Sequence, residues 1–483
     1  MLLCLSGCNQ QDVQSPTTTS TITNTTTTTT TTTTTISGGS STTTTTTIDG
    51  GSVTTTSTTT TTTSIPGAAI APTDLAYLGA FRLPSSIADP DAGWAWGGTG
   101  AAYYASGDPG GAADGFPGSL YGIGHDHTKY IAEVSIPTPV ISAGKNVNDL
   151  NSATMLRDFT NIRSGIGALD PLFVDVSQLS RADLAILPAL GDQASAKLYS
   201  CWGVHFQSDN SLTPSHSWCD LDLTNHQGAW WIAANNELTL YSVNDYLFEI
   251  PEAFASSYLN GRRLATGRYR DGGWGGLGPN LFAVAPWAAG NPPASGTILP
   301  VTTLIRYPSN HPDGYMFGRT EKMNNYLHSD EWSGGAWLTA GSKSAVIFVG
   351  TKGTGTAEAW YGYSNGVVYD EEHPPLPPEP AYPYNDRGWW APSFEAQMIF
   401  YNLSDLAAVA QGTKQPYEIQ PYATLCLDSY LFNINKTAGL PVRLEKLRLG
   451  ACTYDNSNRL LYIFEYRGDA ENDRPLVHVF RVN

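Results

Sequence analysis

Residues 120–136 read LYGIGHDHTKYIAEVSI: an apolar run, a polar corner and a second apolar run. Alternation on either side of a short turn cluster is the mark of two antiparallel strands joined by a tight connection. The pattern returns near the end of the chain, where residues 458–466 (NRLLYIFEY) lead into residues 474–482 (RPLVHVFRV). Residues 344–350 (SAVIFVG) form another such run between glycine-rich turns. A hairpin-bearing unit repeated along one chain implies sheets arranged around a ring, the architecture of a β-propeller. An early strand at residues 76–83 (AYLGAFRL) is expected to lie beside residues 474–482 and close the last blade, which removes exposed edges. Counting units along the chain predicts an all-β fold of about six blades, within a range of five to seven. Short helices are expected after Pro251 and at residues 404–410.

The chain divides by composition. Residues 17–63 are almost entirely Thr, and such a tract lacks the apolar surface needed to offset its ordering entropy. The expected division is a signal-like remnant at residues 1–8, a disordered Thr-rich stalk over 9–65 and a propeller over 66–483. The body is rich in Gly, Tyr and Trp, and it contains no run of ~20 apolar residues of the kind that spans a bilayer. Net charge is −17, and the head contributes only Asp12 and Asp49. Such an acidic chain is a poor partner for nucleic acid or anionic lipid. It suits a neutral ligand such as a glycan, or Ca²⁺, and it suits solubility.

Leu5-Ser6-Gly7-Cys8 resembles a bacterial lipobox, although no basic residue precedes it and the apolar run is short. The resemblance implies lipidation at Cys8 and display at the outer membrane or cell surface; without the lipid, a secreted protein is expected. The membrane then enters only through the anchor. Cys201, Cys219, Cys426 and Cys452 remain, and four cysteines allow three connectivities. The local pairing, Cys201 with Cys219 and Cys426 with Cys452, is the expectation in an oxidising compartment.

Several constellations carry candidate chemistry. In an extended chain His125 and His127 lie on one side and Asp126 on the other, an arrangement able to share a metal ion. A glycine-rich loop holds Arg268, Asp271 and Trp274, and His205, Glu331 and Trp332 fall where a strand meets a loop. If those junctions line the mouth of the ring they converge on one ligand pocket. Glu358–Tyr363 (EAWYGY), with Trp360 inside it, and the Trp389-Trp390 pair bracket a Pro-rich insertion over residues 366–392. Flat rings with polar handles stack well on sugar faces. With thirteen Trp and twenty-five Tyr in the chain, a carbohydrate ligand is a reasonable expectation. Asp126, Asp271, Glu331 and Glu395 are the carboxylates available for glycoside hydrolysis, which needs a pair at a set separation. No nucleophile elbow, phosphate-binding loop or HExxH motif occurs.

The units GSLYGIGHD…AEVSIP (residues 118–137) and YDNSNRLLYIFEY (residues 454–466) resemble those of bacterial secreted or lipoprotein β-propellers of unassigned function. The resemblance implies an architecture and transfers no activity. The leading expectation is a monomeric, surface-anchored protein binding an extracellular glycan or other ligand at the channel mouth. A polysaccharide-degrading hydrolase or lyase, and a platform for protein partners, are the alternatives.

Overall fold

Five small antiparallel sheets follow one another along the chain, and the first strand of each packs against the first strand of the next until the ring closes. Blade 1 comprises Ala101–Tyr104, Ser119–Ile123, Ile131–Ser135 and Met155–Thr160. Blade 2 runs Leu179–Leu187, Lys197–Val204, His216–Cys219 and Gln227–Ile232, with Ile298–Leu299 added in parallel at its outer edge. Blade 3 holds Tyr246–Glu249, Leu264–Gly267, Leu281–Val284 and Val301–Ile305. Blade 4 holds Glu331–Ala340, Lys343–Thr354, Ser393–Tyr401 and Ala423–Cys426, and blade 5 holds Leu449–Asp455, Leu460–Asp469 and Arg474–Val482. The fourth strand of blade 5 is Leu75–Arg82, paired with Leu75 opposite Val482 and Arg82 opposite Leu476. This computed structural model describes residues 28–36, 40–49, 52–61 and 68 onward, apart from 86–92, 165, 167–178, 205–213, 234–242, 270, 274, 289, 309–319, 356–357, 372 and 435–445.

The fold is therefore a β-propeller closed by its early strand, and its blade number is five. Five is within the expected range of five to seven, and the aromatic hairpin Trp360–Tyr363 with Arg387–Trp390 forms its own two-stranded sheet. The two short helices, Glu252–Tyr258 and Leu403–Ala410, connect strands outside the sheets.

The chain divides into two units, Met1–Ser64 and Ile65–Asn483. In the first, Thr28–Ile36, Ser40–Asp49 and Ser52–Thr61 pair as an antiparallel meander. Composition alone pointed to an unstructured stalk here. Thr is β-branched and stiff at χ1, which favours extended pairing even where apolar residues are few.

The second strand of every blade is buried on both faces, while outer strands such as Met155–Thr160 and Ala423–Cys426 are partly exposed. Among the described residues, five large apolar cores lie one between each pair of neighbouring blades, beside two smaller clusters. In blade 1, Leu120 packs toward blade 5 with Phe464 and Val477, while Tyr121 packs toward blade 2 with Leu184 and Trp202. The next core joins blades 2 and 3 through Tyr199, Trp230 and Phe282. Blades 3 and 4 meet through Tyr246, Trp332, Phe348 and Tyr401, and blades 4 and 5 through Ile347, Phe400 and Leu461. Burying one such side chain contributes about 1.5–3 kcal/mol. Two-sided burial explains why runs such as LLYIFEY are almost continuously apolar rather than strictly alternating.

The same geometry separates the cysteines. Cys219 lies opposite Leu198 while Cys201 lies opposite His216, an odd offset that places the two thiols on opposite faces of blade 2. Cys201 belongs to the core shared with blade 3 and Cys219 to the core shared with blade 1. Cys426 is on the outer strand of blade 4 and exposed, whereas Cys452 is buried on the first strand of blade 5. Neither expected disulfide forms, and all four are free thiols. Burial raises the thiol pKa of Cys201 and Cys452 well above its usual value and pushes Cys219 up to about 12. Alkylation of the native chain without reductant should therefore label Cys426 alone among these four. Denaturation should release Cys201, Cys219 and Cys452 to the reagent, and resistance of any pair in denaturant would show a bond.

Near the ring axis the first strands approach so closely that side chains do not fit everywhere. A Cβ built at Gly450 would lie 2.0 Å from the carbonyl oxygen of Gly98, and neither backbone can easily yield. Gly450→Ala should destabilise the fold by about 3 kcal/mol. Gly144→Ala, where a Cβ meets nothing within 4 Å, should change stability little; chemical denaturation measures both.

Candidate functional site

In a four-stranded antiparallel blade, the start of the first strand and the loop between the second and third strands lie on the same side. The ring therefore gathers such segments from successive blades onto one face. Among the described residues these include the turn 124–130 of blade 1, the loop after Gly267 of blade 3, the long insertion 355–392 of blade 4 and the turn 470–473 of blade 5. Direct bonds knit them together. Gly98 N donates to Ile123 O (2.8 Å), Trp96 N to Asp473 O (2.8 Å) and Gly272 N to His328 O (2.6 Å).

Beneath this face the axis is held by a carboxylate. Asp183, on the first strand of blade 2, is fully buried. Its Oδ1 accepts from Ala101 N of blade 1 (2.9 Å) and from its neighbour Leu184 N (2.8 Å), and its Oδ2 accepts from Leu247 N of blade 3 (2.8 Å). Burial raises its pKa well above the carboxylate range, and nearby Asp245 adds to the rise, against the three amide bonds.

Two further acids stand at the starts of first strands. Asp245 pairs with Arg268 (3.4 Å), each about 1% exposed, and its Oδ2 accepts from Tyr269 N (3.1 Å). Arg268 thus ties the loop of blade 3 to its own inner strand instead of lining an open pocket. Asp330 of blade 4 is buried against Lys352 (2.9 Å), and it accepts from Gly353 N (3.0 Å) and Leu327 N (3.0 Å). Burial lifts its pKa to about 6, with Lys352 and the two amides pulling the other way. Sequence reading selected the adjacent Glu331 and passed over Asp330. A lone Asp just before an apolar strand was the available signal.

The insertion of blade 4 folds into a flap. Trp360 pairs with Trp390, Tyr361 with Trp389 and Tyr363 with Arg387 across its hairpin. Trp389 is buried against His328, with ring centres 4.4 Å apart, and lies 5.6 Å from Tyr361. The Arg387 guanidinium sits 4.2 Å from the Tyr369 ring centre and 5.9 Å from that of Tyr361. Trp390 is buried with Ala391 and Phe394 under Lys446, whose Nζ is 5.2 Å from the indole. The expectation that Trp389 and Trp390 form the contact surface is corrected here, because both indoles are used for packing. The half-exposed rings are Tyr361, Tyr369, Trp360 and His328, and Arg387 is exposed beside them. Trp360 keeps its indole N–H on Tyr363 O (3.1 Å).

The remaining expected residues separate in instructive ways. Trp332 is fully buried in the core between blades 3 and 4, so it is a packing residue rather than a ligand platform. Glu331 lies opposite Thr351, and Thr351 opposite Ala396, while Glu395 lies opposite Lys352. Glu331 and Glu395 therefore sit on opposite faces of blade 4 and do not form the convergent pair that glycoside hydrolysis requires. Asp271 opens a short helical turn, Asp271–Gly273, in the blade 3 loop. His205, Trp274 and Cys8 lie outside the described residues.

His125, Asp126 and His127 do converge, although not as an extended strand. The strand of blade 1 ends at Ile123, and His125 O accepts from Thr128 N (3.1 Å) and Lys129 N (2.8 Å) in a tight turn. Lys129 takes the left-handed conformation (φ 52°) that such a turn needs.

No family model matches the chain, and no curated protein matches it. The fold and its loop-bearing face are what define the molecule: a five-bladed propeller with an aromatic flap.

The raised pKa of Asp330 has a definite sign. Its carboxyl takes up a proton near pH 6 in the folded chain and at about 3.9 in the unfolded one, so folding favours protons in between. The stability it contributes is complete below about pH 4 and is lost as pH rises through 6. Asp330→Asn mimics the neutral acid. From pH 4 to pH 7 the wild type should lose stability relative to this variant, by on the order of 3 kcal/mol. Urea denaturation across that range reads the gap, and a constant gap would show that Asp330 does not titrate there.

Proposed function

We propose that this protein is a binding propeller displayed outside the cell, and that it takes a glycan on the flap of blade 4. The observation that carries the reading is the ring ladder Tyr369–Arg387–Tyr361–Trp389–His328. Its inner members are fixed by packing and its outer members are half exposed. Sugar rings present flat C–H faces edged by hydroxyls, and they are bound by rigid aromatic planes with hydrogen-bonding groups at their rims. Tyr361 and Tyr369 offer both features, and Arg387 adds an exposed donor fork. Anchoring of Trp389 against His328 means that little ordering entropy is lost when a ligand arrives.

Display outside the cell rests on the lipobox-like Leu5-Ser6-Gly7-Cys8 and on the Thr-rich head that follows it. Partition of the full chain into a detergent phase, lost in Cys8→Ser, supports the anchor; a soluble wild type removes it.

Binding is tested by screening the full chain on a glycan array and titrating the hits. Tyr361→Ala and Tyr369→Ala should each weaken affinity at least tenfold without moving the melting temperature. Deleting residues 371–383, which lie beyond the hairpin strands, should likewise leave melting nearly unchanged while affinity falls at least tenfold. No reducing sugar should be released during binding. Absence of any glycan hit, or affinity unchanged in the tyrosine variants, would remove the flap as the site.

A further inference from the structure

The blade 1 turn belongs to no part of the glycan reading, yet it brings three metal-ligating side chains together. One ligand atom from each of His125, Asp126 and His127 lies within 4.8 Å of the other two. Asp126 Oδ1 is 3.3 Å from His125 Nδ1 and 4.0 Å from His127 Nε2. Three donors around one ion at 2.0–2.2 Å stand about 3.4 Å apart in tetrahedral geometry.

Three features make the turn a prepared site rather than a chance meeting. First, His127 N donates to His125 Nδ1 (3.1 Å), which fixes the orientation of the imidazole beside Asp126, and a metal at this nitrogen would take the place of that bond. Second, the backbone is locked. His125 N donates to Gly93 O (2.7 Å), Gly124 N donates to Tyr130 O (2.8 Å), and buried Arg163 donates to Thr128 O. A Cβ at Gly124 would meet the Phe159 ring at 2.4 Å, so the turn is packed from behind as well. Third, burial is graded: His125 is buried, Asp126 is intermediate and His127 is exposed. The protein side is fixed, and the solvent side leaves room for water to complete the coordination shell.

We propose that His125, Asp126 and His127 bind a divalent transition metal of the Zn²⁺ class on the loop-bearing face of blade 1. Two imidazoles and one carboxylate match the ligand preference of Zn²⁺, Ni²⁺ or Co²⁺. Ca²⁺, which an acidic chain suggests at first, takes six to eight oxygen ligands, and the cluster supplies carboxylate oxygen from Asp126 alone. Three protein ligands leave an open position for water or for a donor group of a ligand.

The test uses the tag-free full chain, stripped with chelator and titrated with Zn²⁺ by calorimetry, with Ca²⁺ as the comparison ion. One Zn²⁺ should bind through this turn, and Ca²⁺ should not displace it. Asp126→Asn and His127→Ala alter side chains at the solvent side, so their metal-free melting temperatures should match the wild type. Each should weaken Zn²⁺ at least tenfold, and the double variant should lose both the site and the Zn²⁺-induced rise in melting temperature. Zn²⁺ binding equally well to wild type and double variant would place the ion on other histidines and overturn the proposal. Absence of Zn²⁺ binding, or preference for Ca²⁺, would overturn it as well.

Discussion

Asp183 sits where the first strands converge and satisfies backbone amides from three consecutive blades. These residues are buried, and leaving one of their amides unmet costs about 1–3 kcal/mol. One carboxylate reaching Ala101 of blade 1 and Leu247 of blade 3 from blade 2 couples the spacing of all three. The other side of the ring is joined by smaller means. Ser333 Oγ of blade 4 donates to Leu449 O of blade 5 (2.6 Å), and Ala451 N of blade 5 donates to Gly98 O (2.9 Å). The polar axis thus specifies how the blades meet, while the five apolar cores supply the driving force.

The fold was legible because two-sided burial writes itself into composition. Residues 460–466 and 344–350 could only be interior strands, and the pairing of the early strand with residues 474–482 followed from the need to remove edges. The blade count was less legible. Residues 229–232, read beside the strand that begins at Tyr246, instead complete blade 2, so grouping strands into blades needs pairings that the sequence does not show. Registers were not legible at all. Whether Cys201 and Cys219 share a face, or Glu331 and Glu395, turns on single-residue offsets that strand patterns do not disclose. Of the candidate site, the His-Asp-His turn was visible as residue types, though its geometry comes from a turn and not from a strand. The flap was visible through its Trp residues, whereas the rings left open to solvent are mainly tyrosines.

Charge on the loop-bearing face is arranged inwardly. The chain is strongly acidic, yet Arg268, Lys352, Lys446, Arg448 and Arg467 are all buried at the ends of strands there. Each is committed to a structural partner: Asp245, Asp330, Trp390, Asp428, and Asp473 together with Trp96. Buried pairs of this kind contribute little net stability, but losing one partner leaves an uncompensated charge. They pin loops that would otherwise move, so the face offers fixed geometry instead of free cations. Arg387 is exposed, and it lies among the rings of the flap beside Glu371 (4.0 Å).

The pairing of Leu75–Arg82 with Arg474–Val482 also governs how the chain is made. During synthesis the early strand emerges with no edge to join, and its partner, Arg474–Val482, is the last strand of the ring to be made. Blades 1 to 4 can assemble in order as they leave the ribosome, yet each exposes an apolar face until its successor arrives. Blade 5 lacks its outer strand until the chain folds back on its own beginning, a contact of very high sequence separation and correspondingly slow formation. Translation that stops a few residues short of Val482 would leave an open arc with two sticky ends, the form most prone to join a second copy edge to edge.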